Sequence, residues 1–332
     1  MKHIAKRAGV SLGTVSNVIN NTTPVKENLR RKVAEAIQEL QYHPSRLAQG
    51  FRRNQTTILG MIIPDITNPF FPAVVRGVED VAYQHSYRLM LCNADNDPSK
   101  EIEYLKELRS YRMAGLILIP SIMSEINALT DLEVDDVPVV CIDRRPTKWK
   151  GDSVTVNNAK GTEEATCYLL EMGHRSIAII TGPLNLASAI GRLDGFRTAM
   201  RSHEVIVNPE YIQEGRFDRA SGYEKMKVLL SRRSLPTAVI AGNDLIALGA
   251  LAAIREAGLN CPDDISIIGF DDLEISEFTN PPLTTVAQPG YQMGAKGVGL
   301  LLQRLKSSDP KPENVILMPE LKVRHSASPP KR

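Results

Sequence analysis

Residues 1–42 hold no convincing strand, whereas from Thr57 onward the apolar residues gather in short β-branched runs. This change of rhythm constrains the fold more than any other feature. The runs fall at 58–64, 89–92, 115–120, 137–143, 153–156, 177–181, 238–241 and 265–269. Helical patterns at 71–84, 101–112, 159–172, 192–202, 222–230 and 247–257 lie between most of them. Such alternation predicts βαβ units, and hence parallel sheets with helices on both faces. More than roughly ten strands exceed what one twisted sheet carries comfortably, so two doubly wound α/β lobes are expected. In such sheets ligands bind beyond the carboxyl ends of the strands.

The first 42 residues read as helices. One lies in 2–8, Gly9 and Val10 interrupt it, and Ser11 can cap a second over 12–19. A third, about 27–40, repeats Leu29, Val33, Ala36, Ile37 and Leu40 at helical spacing. Tyr42-His43-Pro44 breaks the pattern, and 45–56 has the polar, basic composition of a linker.

The formal net charge of the 332 residues is only +2, but it is unevenly spread. Residues 1–57 carry ten Lys and Arg against three acids, a net of +7; the remainder carries 30 against 35, a net of −5. A basic head on an acidic body suggests an attachment module for a polyanion, the alternative being a solvated basic helix surface. No apolar run is long enough for a membrane span, and Lys2, Lys6 and Arg7 interrupt any signal-peptide core, so no membrane partner is expected. Cys92, Cys141, Cys167 and Cys261 lie far apart with no C-x-x-C pair. Reduced thiols in a cytoplasmic protein are expected, with no metal site and no other cofactor.

Helix, glycine turn and helix over 4–20 form a helix-turn-helix pattern, in which Ala5, Val10, Val15 and Val18 would pack the two helices together. The second helix would then present Leu12, Gly13, Ser16 and Asn17 to a major groove. Ser11, Thr14, Ser16 and Asn20 are short hydrogen-bonding residues suited to phosphates.

Three ordered motifs extend this reading: A-G-V-S-x-x-T-V-S-x-V-I-N, R-R-K-V-A-E-A-I-x-E-L-x-Y-x-P-S-R-L-A and I-P-D-I-T-N-P-F-F. With I-I-G-F-D-D, P-P-L-T-T-V and Q-P later on, the sequence resembles the LacI/GalR family of bacterial transcription regulators over nearly its whole length. The resemblance implies a DNA-binding headpiece (1–42), a hinge (43–57) and a core like a periplasmic binding protein (58–330). The expected N-lobe comprises about 58–156 and 288–313, and the C-lobe about 157–287 and 314–330. It also implies homodimers on pseudo-palindromic double-stranded operators, with affinity set by an effector. Leu12, Gly13 and Asn17 match base-reading positions; Leu12 offers apolar contact, Gly13 none, and Asn17 can pair with adenine. Arg46 and Ala48 match positions near the minor groove. Phe51 stands where the family usually places a Leu wedge between base pairs, although it could instead be a linker residue packing on the core. The family's usual Thr-Ile before helix 1 is missing, and His3, Lys26 and Gly50 depart from its pattern; together these could weaken the headpiece.

Candidate effector residues stand at or near strand ends. Phe70 and Phe71 follow Asn68-Pro69, either to stack on a sugar or base or to pack the next helix. Ser121, Asp143, Asn243 and Asp271 end apolar runs, and Arg192 and Phe217 match further effector positions of the family. Asp244 and Asp272 are expected to cap following helices and rank below Asn243 and Asp271. Carboxylates, Asn, an Arg fork and aromatic faces suit a polyhydroxylated ligand, a carbohydrate. No nucleophile elbow, phosphate loop or metal-ligand spacing accompanies them, so an enzyme is not expected. The expected activity is that of a repressor. A regulator with a protein co-effector, or a solute-binding protein, are the rivals; the basic headpiece and the missing export signal speak against the latter.

Overall fold

The computed structural model describes residues 1–20, 23–41, 56–121, 137–146, 148–306 and 311–331. It divides into two compact units, Met1–Thr57 and Ile58–Arg332. The expected hinge residues Arg46, Ala48 and Phe51 lie outside the described residues.

The first unit contains helices α1 (Lys2–Ala8), α2 (Leu12–Asn20) and α3 (Glu27–Glu39). Gly9 ends α1 at φ 64°, a left-handed conformation that costs glycine least, and this turns the chain into α2. Ser11 caps α2 by accepting from the Thr14 amide at 3.1 Å. Ile4, Ala8, Val15, Val33 and Ala36 form the core, with Ala5, Val10 and Val18 packed half-buried against it. Arg7 closes the outside of α1 onto α3 through Glu39 at 2.7 Å. Lys26 starts α3 without a side-chain cap.

The second unit contains two six-stranded sheets. The first, in spatial order, is β11 (Asn314–Leu317), β5 (Asp152–Val156), β4 (Val139–Ile142), β3 (Gly115–Leu118), β1 (Ile58–Ile63) and β2 (Arg88–Asn93). The second is β12 (Glu320–Lys322), β10 (Thr284–Ala287), β9 (Ser266–Asp271), β8 (Ala238–Ala241), β6 (Ile177–Thr181) and β7 (Ile212–Glu214). Among the described residues every pairing is parallel except β10 with β12. Helices α4 (Phe70–Gln84) and α5 (Pro98–Ser110) belong to the first lobe. Helices α6 (Asn158–Glu171), α7 (Ala187–Ser202), α8 (Arg219–Leu230) and α9 (Asp244–Glu256) belong to the second. The chain then returns to the first lobe as α10 (Gly290–Lys306), which lies on α4.

The lobe boundary differs from expectation at one place. Asn314–Leu317 pairs with β5, so it completes the first sheet rather than joining the second lobe. The last crossing falls at Met318-Pro319, before β12 pairs with β10. Among the described residues no helix is long and apolar enough to cross a membrane, and no cluster of His, Cys, Asp or Glu could hold a metal ion.

Candidate functional site

The start of α2 is the candidate nucleic-acid surface. Ser11, Leu12 and Gly13 are exposed, and Leu12 is 45% exposed although it is apolar. Thr14, Ser16 and Asn17 are half-buried on the same helix, and Asn20 is its last residue. The Ser11 hydroxyl meets Thr14 Oγ1 at 2.9 Å, so both are engaged in the cap. A free major-groove surface at this point needs an exposed helix N-terminus, and the Gly9 turn provides it.

A narrow pocket with a free cavity of about 20 Å³ lies between the lobes of the second unit, at the carboxyl ends of the strands. From the first lobe, Asn68 bends the chain after β1 by accepting from the Phe70 amide at 3.1 Å. Phe70 and Phe71 then meet edge to face with ring centroids 5.3 Å apart. Both rings belong to the buried core and both line the pocket, so the packing and ligand-facing roles coincide. Asp143, just past β4, has φ 64° and is followed by Arg144. The Arg144 guanidinium donates to the Pro120 carbonyl at 2.9 Å and stands 3.5 Å from Asp143 Oδ2.

The second lobe supplies Ser188 and Arg192 from α7, Phe217 before α8, Asn243 after β8, Asp271 at the end of β9 and Gln288 after β10. Arg192 is held from several sides. Its Nε donates to Asn158 Oδ1 at 2.8 Å, and its Nη1 donates to the Gly242 carbonyl. Its guanidinium carbon lies 3.8 Å from the Phe270 ring centroid and 5.4 Å from that of Phe217. Asp271 Oδ1 accepts from Gln288 Nε2 at 2.6 Å and lies 3.9 Å from Arg192 Nη2.

Burial dominates the electrostatics. It pushes the Asp271 carboxyl up to about 8, against the pull of Arg192, and raises Asp143 despite Arg144 and Arg192. The same desolvation lowers both arginines from their ordinary value. Among the described residues, the buried atoms Asp143 Oδ1, Arg144 Nε and Gln288 Oε1 have no hydrogen-bond partner. Buried polar atoms of this kind are normally paired, so a pocket that collects three of them is shaped for a polar ligand.

Seven of the eight expected effector residues line this pocket: Phe70, Phe71, Asp143, Arg192, Phe217, Asn243 and Asp271. Ser121 does not. It lines a neighbouring cleft of about 200 Å³ together with Asn96, Asn185 and Arg216, and its amide donates to Glu101 Oε2 at 2.6 Å. The expected capping roles are exchanged. Asn243 caps α9, accepting from the Ile246 amide at 2.9 Å, while Asp244 turns its carboxylate inward. Asp272 pairs with Arg324 at 2.8 Å instead of capping a helix. Arg144, Gln288, Asn68 and Ser188 line the pocket without having been singled out. Arg144 follows Asp143 directly and Gln288 opens the Q-P motif, so both had a signal in the sequence.

Comparison with known proteins agrees with both units. Residues 1–45 match the model of bacterial regulatory proteins of the lacI family, and 166–327 match a periplasmic binding protein-like domain. An HTH-type transcriptional repressor PurR of Histophilus somni is 39% identical, the match covering 98% of each chain. The Lac repressor dimer bound to operator and the anti-inducer ONPF superposes with a TM-score of 0.86 at 29% identity, over 98% of each chain. A LacI family regulator from Enterococcus faecium with bound ribose gives 0.75 at 33% identity, over 82% of this chain and all of that one. With a helix-turn-helix unit joined to two α/β lobes, the chain belongs to the lacI family of bacterial DNA-binding transcription regulators.

Proposed function

We propose that this protein is a cytoplasmic repressor that binds a pseudo-palindromic operator as a homodimer and is released from it by a pentose, D-ribose. The pocket carries this reading. Its buried arginines and carboxylates alternate donors with acceptors, and Asp143 Oδ1, Arg144 Nε and Gln288 Oε1 await partners. A sugar hydroxyl both donates and accepts, so it satisfies either kind of group. Phe70, Phe71 and Phe217 cover the apolar faces of a ring, which enters the narrow pocket from the neighbouring cleft that Phe71, Arg144 and Phe217 also line. The ribose held by the Enterococcus faecium regulator supports the same class of ligand.

The headpiece would bring Leu12, Gly13 and Asn17 to base edges, with Ser11, Thr14, Ser16 and Asn20 near phosphates. Arg46, Ala48 and Phe51 would reach the minor groove. A second copy would cover apolar side chains such as Phe278, which is 73% exposed. Ribose must favour the low-affinity state of the core over the high-affinity one, since only differential binding shifts an equilibrium.

The name PurR on a curated relative favours a second reading, in which the effector is a purine base stacked on the same rings. Calorimetry against D-ribose, other pentoses, hexoses and purine bases separates the two, followed by operator titration with whichever binds. Tight ribose binding that weakens operator binding is expected. Preference for a base would overturn the pentose, and silence from every compound would favour a protein co-effector.

A further inference from the structure

We propose that Asp244, which lies outside the pocket, is a positioning residue for the effector: it clamps together the three second-lobe segments that carry Asn243, Asp271 and Gln288. The proposal rests on the pocket being the effector site. The Asp244 side chain is fully buried, and its carboxylate accepts three hydrogen bonds from other segments. Oδ2 accepts from the Leu273 amide at 2.8 Å and from the Ser276 hydroxyl at 2.6 Å. Oδ1 accepts from the Thr285 hydroxyl at 2.5 Å.

Each bond holds a segment next to a pocket residue. Asn243 is the immediate neighbour of Asp244. Asp271 lies two residues before Leu273, and Gln288 three residues after Thr285. The bond from Gln288 to Asp271 closes the ring. The segment after β9 needs such a clamp. Asp271 and Asp272 have φ 120° and 58°, conformations that L side chains adopt only when their surroundings impose them. The Leu273 amide follows directly, and Asp244 fixes it. The clamp also brings one carboxylate near another, and the Asp244 charge helps to hold Asp271 in its protonated form. A simple helix cap would explain none of this, because Asn243 already caps α9.

The test uses the full-length protein, D-ribose as probe, and four variants. Asp244→Ala removes all three bonds; Thr285→Val and Ser276→Ala remove one each; Asp244→Asn keeps the shape. In the last, the amide oxygen still accepts from Leu273 and Ser276, while its NH2 donates to a rotated Thr285 hydroxyl. Expected are a tenfold or greater loss of ribose affinity in Asp244→Ala, smaller losses in the single-arm variants and near-complete rescue in Asp244→Asn. Operator affinity without ribose should stay within twofold. If Asp244→Ala does not fold, the single-arm variants decide. Unchanged ribose affinity, no rescue by Asn, or a matching fall in operator affinity would overturn the proposal. Ligand-free crystal structures of Thr285→Val and Ser276→Ala provide a readout independent of the effector's identity. Each variant should displace the segment whose bond it removes, Gln288 away from Asp271 in Thr285→Val and residues 274–277 away from α9 in Ser276→Ala, and unmoved segments would refute the clamp. Failure of the parent protein to bind ribose would sink the pentose reading alone, leaving these structures to judge the clamp.

Discussion

Asp143 and Asp271 occupy matching places in the two lobes: each stands at the carboxyl end of the third strand of its sheet, buried, with a positive φ. Two carboxylates on strained backbone therefore face one pocket from opposite sides. Such conformations cost about 1–3 kcal/mol each and persist where the surrounding structure over-determines them, as at ligand sites.

Asp271 makes the apo protein less stable as the pH rises. Its carboxyl ionises at about 8 in the fold, against about 4 in an unfolded chain. The folded state thus holds an extra proton between these values, so stability is fully present below about 4 and is lost towards about 8. Asp271→Asn should lessen the fall of the melting temperature between pH 4 and 8, part of which remains because burial pushes Asp244 up to about 6, and raise it above the parent's near pH 8, while the effector response disappears. Calorimetric melts across that range check this; parallel curves for the two proteins would contradict it.

Arg192→Lys should cost the effector response as fully as Arg192→Ala. The guanidinium donates to Asn158 and Gly242 in two directions while lying over the Phe270 ring. A lysine ammonium is a point charge that cannot reproduce a planar fork. Ribose affinity should fall at least a hundredfold in calorimetry, with operator affinity in fluorescence anisotropy kept. A lysine variant that still responds would place the ligand elsewhere.

How far the sequence made the site legible depended on the kind of residue. Strand ends followed by Asp, Asn or Ser were readable, because β-branched runs stop there. The exchange between Asn243 and Asp244 was not, because either can cap a helix and only the buried hydroxyls of Ser276 and Thr285 decide which turns inward. Helix α10 escaped notice for a different reason. Gly290, Gly294, Gly297 and Gly299 dilute its apolar periodicity, and the use of Gly290 and Gly294 appears only when α4 is packed against them. Edge strand β7 is three partly exposed residues with no alternation to mark it.

Asn17→Arg should change the preferred half-site from adenine to guanine at one position without greatly changing overall affinity. Asn pairs in two bonds with adenine and Arg with guanine, a choice worth about 1–3 kcal/mol. Selection from a randomised operator library reads the outcome. An unaltered preference would remove Asn17 from the base-reading set.

Gly294→Ala should loosen the first lobe, and Gly299→Ala in the same helix should not. A β-carbon on Gly294 would run into the Val74 carbonyl and the Val78 amide of α4, which are backbone atoms that cannot rotate away. Gly77 meets the Tyr291 carbonyl of α10 in the same manner, so the two helices touch through glycines on both sides. Overpacking such a contact costs roughly 1–3 kcal/mol. Among the described residues, nothing lies within 4 Å of the would-be β-carbon of Gly299. There alanine should stabilise by up to about 1 kcal/mol, through helix propensity alone. Urea midpoints should therefore move in opposite directions for two identical substitutions five residues apart. If both fall, helix α10 is sensitive to any added methyl; if neither moves, α4 and α10 are not in the close contact described.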